Sequence, residues 1–556
     1  MSNLHHTPRR RPVVLPTLLF ALLLPLIVSA CITVESDGQA TASPSSASAA
    51  PDTSPSAAPL VTPTPAPTPQ PTPEPVEAEV LAFMPNWLLD DVGEAVDTDL
   101  VTIVAFHSIE ASGDGRLVRQ KPSGSVPSGW EALESAEFAE LKAGLQADGV
   151  KVVPVIQRVG WTEGTRERTI NLLSKKKPRR ALAERIARFV DERDFDGVNL
   201  DVEPLPDQVA DDYVEFVREV RAALDEVDPE LHLSIDVVPG LENYDLAALT
   251  AEDAADLAVI MGYGYRTGAS GTAGAVAPLV AAGGSDLTTS VQLALEQAPP
   301  DRVVLALPWY GIAWPTETDE PGSAVRRGEG IDGAAESTYG VAVDAAARYG
   351  RRYEPEQASA WTVFATEQCP SCPPTWRQLW YDDPESFGAK IDLALEQGLA
   401  GIGIWALGME AGREDMWWAL RDRLRPQLDE TPPFGSPTLD PDALRGELDG
   451  RGVVVGSAPL RLLGAADDPG GSGLALARVG LAGELDEAGR LVVGRSYPAV
   501  ERIEFPLGDE STGGSLQDGP RSIYVQWSDL AGNWSTPVLI EAQVIDPVAT
   551  ETPADL

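Results

Sequence analysis

The chain has 556 residues, of which 43% are hydrophobic and 23% charged, a composition of folded domains and too long for a single one. Its formal net charge of −43 leaves no surplus of Lys and Arg for phosphates, which argues against a nucleic-acid partner. The same charge suits an exported protein acting on neutral or cationic polymers.

The chain opens with "HHTPRRRP", the apolar run "VVLPTLLFALLLPLIV" and small residues ahead of Cys31. This is the pattern of an export signal, and "VSAC" resembles a bacterial lipobox, in which the chain is cut before the Cys and the Cys is lipidated. Residues 1–30 are therefore expected to be a lipoprotein signal peptide and Cys31 a lipid anchor, placing the protein outside the cell on its membrane. Pro16 and Pro25 break the run, which fits a signal better than a spanning helix. Residues 31–76 are rich in Pro, Ser, Thr and Ala and end "TPTPAPTPQPTPEP". Such a stretch cannot bury a core and reads as an extended spacer.

From residue 77 short apolar runs alternate with helical patterns. "EVLAFMP", "DLVTIVAFHSI" and "VKVVPVIQ" read as strands. A helix follows in "PRRALAERIARFVDERD", with Pro178 in its first turn and Leu182, Ile186, Phe189 and Val190 on one face. Next come the strand "GVNLDVE", a helix through "DDYVEFVREVRAALDEV", and the strand candidates "LHLSIDVVP", "ADLAVIMGYGY", "RVVLALPWYG" and "LAGIGIWALG". Eight strands separated mostly by helices predict a closed (β/α)8 barrel over 77–430, an open doubly wound sheet being the alternative. No GxGxxG follows the first strand, so no dinucleotide is implied. Residues 316 to about 395 exceed one crossover and read as a small α+β insertion between the seventh and eighth strands. Within it lies "CPSC", where Cys369 and Cys372 are expected to form a small-loop disulfide; one CxxC alone is weak evidence for zinc. No metal or cofactor is expected. A Pro-rich linker (431–442) leads to short strands over 443–546, read as an Ig-like β-sandwich, and to a tail, 547–556.

"FDGVNLDVEPLP" carries the chemistry. At the period of a strand, Val198, Leu200 and Val202 share one face and Asn199, Asp201 and Glu203 the other. In a barrel the polar face points inward. Two inward acids two residues apart repel, which raises at least one pKa. A carboxylic acid that keeps its proton near neutral pH is what glycosidic cleavage requires.

"FDGVNLDVE" closely resembles the DGxDxDxE signature of glycoside hydrolase family 18, the chitinase-like enzymes. "VLAFMPNW", "VTIVAFHSIEASGDGRL", "DLAVIMGYGY", "AGAVAPL", "LALPWYG" and "GLAGIGIWALG" resemble further family segments in the family's order, from residue 79 to about 425. The resemblance implies a retaining mechanism without an enzymic nucleophile, the substrate's acetamido oxygen attacking the anomeric carbon. It implies Glu203 as general acid, Asp201 on the acetamido N–H, Tyr263 on the acetamido carbonyl, and Trp405 as the apolar floor. Met261 would line that pocket. Trp87 and Trp309, at the ends of the first and seventh strand candidates, are placed either to stack on neighbouring sugars or to pack in the core or a loop. Two positions depart from the family. Asn199 replaces an Asp and is expected to hydrogen-bond Asp201, shortening any proton relay. Gly264 replaces the Asp that often follows the Tyr. "GVNxDxE" is similar to the branch of spore-cortex and peptidoglycan N-acetylglucosaminidases. The implied partner is an N-acetylglucosamine-containing glycan, peptidoglycan or chitin-type, cleaved at β-1,4 linkages by a monomer tethered to the membrane through its lipid. A lectin-like glycan-binding protein on the same barrel is the other reading.

Overall fold

A computed structural model describes residues 75–545, apart from 93–95, 329–330, 367–374, 427–428 and 470. The expected lipidation site Cys31 and the Cys369–Cys372 pair lie outside the described residues.

Seven strands come first: β1 (Glu79–Pro85), β2 (Ile103–Glu110), β3 (Lys151–Val159), β4 (Gly197–Glu203), β5 (His232–Val237), β6 (Leu257–Met261) and β7 (Val303–Pro308). Five more, β8 (Tyr310–Thr316), β9 (Ala335–Thr338), β10 (Arg352–Glu354), β11 (Ser359–Thr366) and β12 (Thr375–Tyr381), precede β13 (Gly401–Trp405). Among the described residues β1–β7 and β13 close into a barrel in the order β1-β13-β7-β6-β5-β4-β3-β2. Each neighbouring pair within it is parallel, as helical crossovers require.

Two apolar layers follow from the alternation along each strand. Val198, Leu200 and Val202 of β4 pack outward with Leu182, Ile186, Phe189 and Val190 of the helix Lys176–Arg193. The inward layer is a smaller cluster that includes Leu81, Phe83, Val153, Val155, Val259 and Ala306. It fills the barrel below the acids, so the strand ends above it are the place for chemistry.

The insertion starts earlier than its sequence pattern indicates. It begins at Tyr310, two residues past the end of β7, because "RVVLALPWYG" is two strands and not one: β7 stays in the barrel and β8 leaves it. β8–β12 form an antiparallel sheet ordered β10-β11-β12-β8-β9, with the helix Tyr339–Tyr349 between β9 and β10. Trp314, Trp361 and Trp380 form its core, and Tyr263 and Tyr310 pack against that core.

The C-terminal strands make a three-stranded and a six-stranded sheet around their own core, which includes Leu462, Tyr497, Phe505 and Trp527. Two features differ from the expectation of an antiparallel sandwich entered by a plain linker. Phe434–Leu439, inside the predicted linker, is a strand paired with Leu460–Asp467. It is an edge strand, where Pro437 costs no ladder bond. Arg451–Val455 and Val538–Ile545 pair in parallel.

Candidate active site

β4 brings the polar face into the barrel as its period requires. Asn199 is fully buried and Asp201 3% exposed, while Glu203, at the strand end, is half-buried. Burial first, and the Asp201 charge second, push the Glu203 carboxyl from an ordinary 4.5 up to about 8. Glu203 therefore carries a proton at neutral pH.

Asp201 is held from β3. The Gln157 amide donates to its Oδ2 at 2.8 Å and to His107 Nε2 at 3.0 Å. Gln157 Oε1 accepts from Ser108 Oγ at 3.1 Å. The amide thus has a fixed orientation, and His107 Nε2 accepts, which leaves the imidazole proton on Nδ1. Asp201 Oδ1 and His107 Nδ1 are buried without a hydrogen-bond partner.

Asn199 does not make the hydrogen bond to Asp201 expected of it where it replaces the family's Asp. Its Nδ2 donates to Ser234 Oγ at 3.0 Å and to Asp236 Oδ1 at 2.9 Å, both on β5. The amide is drawn there because Ser234 and Asp236 are the inward acceptors of the neighbouring strand, whereas Asp201 is engaged by Gln157.

Above the acids lies an aromatic wall. Trp405 ends β13, with Tyr263 at 6.0 Å between ring centroids, Phe83 at 5.4 Å and His107 at 5.0 Å. Burial pushes the Tyr263 hydroxyl well above its ordinary range, so it remains a neutral donor. Met261 closes β6 and is buried. Gly264 has a φ of +74°, and a Cβ there would meet open space. The substrate contacts of a side chain at that position are absent, while the Tyr263 geometry does not depend on them.

The two flanking tryptophans differ. Trp87, just beyond β1, is 54% exposed and edge-on to His107, with a face free for a sugar. Trp309 is fully buried and packs against Phe387 and Trp417 in the barrel–helix layer. It offers no surface for stacking, which corrects the role expected of it. Trp161 is 66% exposed, and Gly160 N–H donates to Glu203 O at 2.7 Å, tying its loop to the end of β4. His107, Gln157, Trp161 and Asp236 carry no motif. The signal for Asp236 was the alternation of Ser234 and Asp236 along "LHLSIDVVP", the counterpart of Asn199 and Asp201 on β4.

A barrel with a proton-bearing Glu two residues beyond an inward Asp, under a Tyr–Trp wall, defines a glycosidase-type site. Residues 79–410 match the model of glycosyl hydrolases family 18, and the chain belongs to that family. The spore cortex-lytic enzyme SleL of Bacillus megaterium QM B1551 is similar, with a TM-score of 0.51 and 20% identity over 64% of this chain and 76% of that one. So is the Cycas revoluta family 18 chitinase in complex with (GlcNAc)3, with a TM-score of 0.51 and 20% identity over 62% of this chain and 99% of that one. Probable di-N-acetylchitobiase 2 of Dictyostelium discoideum is 28% identical over 256 residues, 40% of this chain and 65% of that protein. The chain spans less than two thirds of the length of the curated relatives it matches.

Proposed function

We propose that the chain is a retaining glycosidase that cleaves β-1,4 linkages next to N-acetylglucosamine, with the substrate's acetamido group as nucleophile. The observation that carries this reading is the Glu203 carboxyl, pushed up to about 8 and poised beside Asp201 on the inner face of β4. Glu203 gives its proton to the glycosidic oxygen as the bond from that oxygen to the anomeric carbon breaks. The acetamido carbonyl oxygen forms the new bond to that carbon, giving an oxazolinium ion. Asp201 accepts from the acetamido N–H and offsets the positive charge; the Tyr263 hydroxyl donates to the acetamido carbonyl and aims it. Water then attacks the anomeric carbon, Glu203 takes its proton, and the β configuration is restored. Asn199 supports this floor from behind, Met261 and Trp405 shape the sugar pocket, and Trp87 and Trp161 stack on neighbouring sugars.

Peptidoglycan and chitin-type oligosaccharides both fit this chemistry. The printed names of the relatives point to both, a spore cortex-lytic enzyme on one side and chitinases and a chitobiase on the other. A lectin-like role fits less well, because Glu203, Asp201 and Tyr263 are all in place. The export signal and Cys31 support a lipid-anchored protein facing the cell exterior, and Cys31→Ser would then move it from membranes to the soluble fraction. The test of the reaction is digestion of peptidoglycan and chitohexaose side by side, with early product followed by NMR. β product and inhibition by a thiazoline sugar are expected. α product, or a glycosyl ester trapped on Asp201, would overturn the mechanism. Glu203→Gln should lower turnover by several orders of magnitude while still binding oligosaccharide; near-normal turnover would remove Glu203 as the acid.

A further inference from the structure

Three inward acids share the top of this barrel: Asp201 and Glu203 on β4 and Asp236 on β5. Among the described residues none of them forms an ion pair with Lys or Arg, and the nearest basic group is His107, 3.8 Å from Asp201. Asp236 is 2% exposed, and the β4–β5 register sets it directly beside Asp201. Its Oδ1 accepts from Asn199, while Oδ1 of Asp201 is a buried acceptor without a donor. A buried acceptor left unpaired is destabilising, more so when charged, so a donor is called for. Gln157 of β3 already supplies one to the other oxygen of Asp201. The side chain on the opposite flank, from β5, is Asp236.

We propose that Asp236 is a positioning residue of the active site, a neutral acid whose hydroxyl donates to Asp201 and holds it jointly with Gln157. Donors then run in one direction, from Asn199 N–H to the Asp236 carbonyl and from the Asp236 hydroxyl to Asp201. This leaves Asp201 the single carboxylate of the floor, gripped from β3 and from β5, with its remaining lone pairs free for the substrate. It also accounts for Asn at 199: its amide donates to the Asp236 carbonyl without adding a charge, whereas a third acid on β4 would add one. Burial first, then the Asp201 charge, pushes the Asp236 carboxyl well above the ordinary carboxylate range, with Asn199 opposing and Glu203 adding. The other titratable groups facing it are Tyr213 of the helix Ala210–Asp225 and Tyr263 beyond β6, both held neutral by burial.

The proposal rests on the glycosidase reading for its kinetic consequence, so the experiment has one arm that does not. Asn at 236 reproduces the neutral donor–acceptor pattern, and Ala removes it. On whichever glycan the wild type cleaves, Asp236→Asn should keep kcat within about threefold, and Asp236→Ala should lose about 10- to 100-fold in kcat at similar KM, with the fold retained by circular dichroism. The alkaline limb of the pH profile, set by Glu203, should not move down in Asp236→Asn. If Asp236 were ionised, removing its charge would lower the Glu203 pKa and shift that limb to lower pH; such a shift overturns the proposal. So do an Asp236→Asn variant as impaired as Asp236→Ala, and an Asp236→Ala variant as active as wild type. The independent arm is infrared spectroscopy at neutral pH in the Glu203→Gln background. A protonated-carboxyl band that disappears on adding Asp236→Asn supports the neutral acid, and no such difference overturns it. A wild type inactive on every glycan would sink the functional reading and leave this arm decisive for Asp236.

Discussion

Glu203 links pH to both catalysis and stability through one carboxyl. Its folded pKa of about 8 lies above the ordinary 4.5. As the general acid we propose, it would work while protonated, so kcat/KM should fall as pH rises through about 8. For stability the sign runs the same way. Below about 4.5 the folded and unfolded chains both hold the proton and nothing is lost. Between 4.5 and about 8 the unfolded chain releases it while the folded chain keeps it, and stability declines. Gln at 203 does not titrate. Glu203→Gln should therefore raise the Tm relative to wild type at pH 9 by clearly more than at pH 5; equal differences at both pH values would mean that Glu203 is not perturbed by its site. Period-two alternation made Asn199, Asp201 and Glu203 legible in the sequence, because sheet geometry alone sets which way they face. His107 and Gln157 were not legible, since their roles depend on meeting Asp201 across strands far apart in the chain.

The eight barrel strands could be read from apolar runs because a parallel strand buried on both faces must be apolar nearly throughout. The insertion resisted that reading where barrel and excursion share one run at β7 and β8. Phe434–Leu439 was hidden because Pro437 marks a linker as readily as an edge strand. The role expected of Trp309 failed for a related reason: a Trp at a strand end reads the same whether its ring turns to solvent or to a helix. Trp161→Ala should raise KM about 2- to 10-fold with little change in kcat, the cost of one aromatic stacking contact, measured on oligosaccharides of increasing length. Trp309→Ala should instead cost about 3–5 kcal/mol of stability as a core truncation. The link between insertion and barrel gives a second stability test. Lys390, on the helix Pro384–Glu396, is fully buried and pairs with Asp382, one residue past β12. Lys390→Met should destabilise by about 3–5 kcal/mol, because it leaves a buried carboxylate unpaired. Adding Asp382→Leu should recover most of that loss in chemical denaturation, and failure to recover would assign the cost to packing of the lysine stem.

The insertion also joins the barrel to the C-terminal sheets. Arg351 N–H donates to Ser496 O at 2.9 Å, Arg495 to Tyr349 O at 2.8 Å, and Arg348 pairs with Glu504. The helix Tyr339–Tyr349 and the turn after it contribute these groups and lead into β10, an edge of the sheet whose core supports Tyr263, so the C-terminal unit is docked on the insertion that backs the aromatic wall. The charge of the chain acts at longer range. With 85 acidic and 42 basic residues, the protein carries a strongly negative field into any encounter with a polymer. Chitin oligosaccharides are uncharged and should not sense that field. Peptidoglycan carries carboxylates on its muramic acid ethers and stem peptides, and should be repelled until salt screens the charge, with a Debye length of about 30 Å at 0.01 M falling to about 8 Å at 0.15 M. From about 10 mM to about 200 mM NaCl, kcat/KM on soluble peptidoglycan fragments should therefore rise several-fold, while that on chitohexaose stays within about twofold. The effect should lie in KM, because screening changes encounter and not the proton transfer at Glu203. A flat profile on peptidoglycan would place compensating positive charge at the cleft mouth. A decline with salt would mean that the cleft attracts the anionic glycan despite the net charge, and would make the wall polymer the better fit of the two substrates.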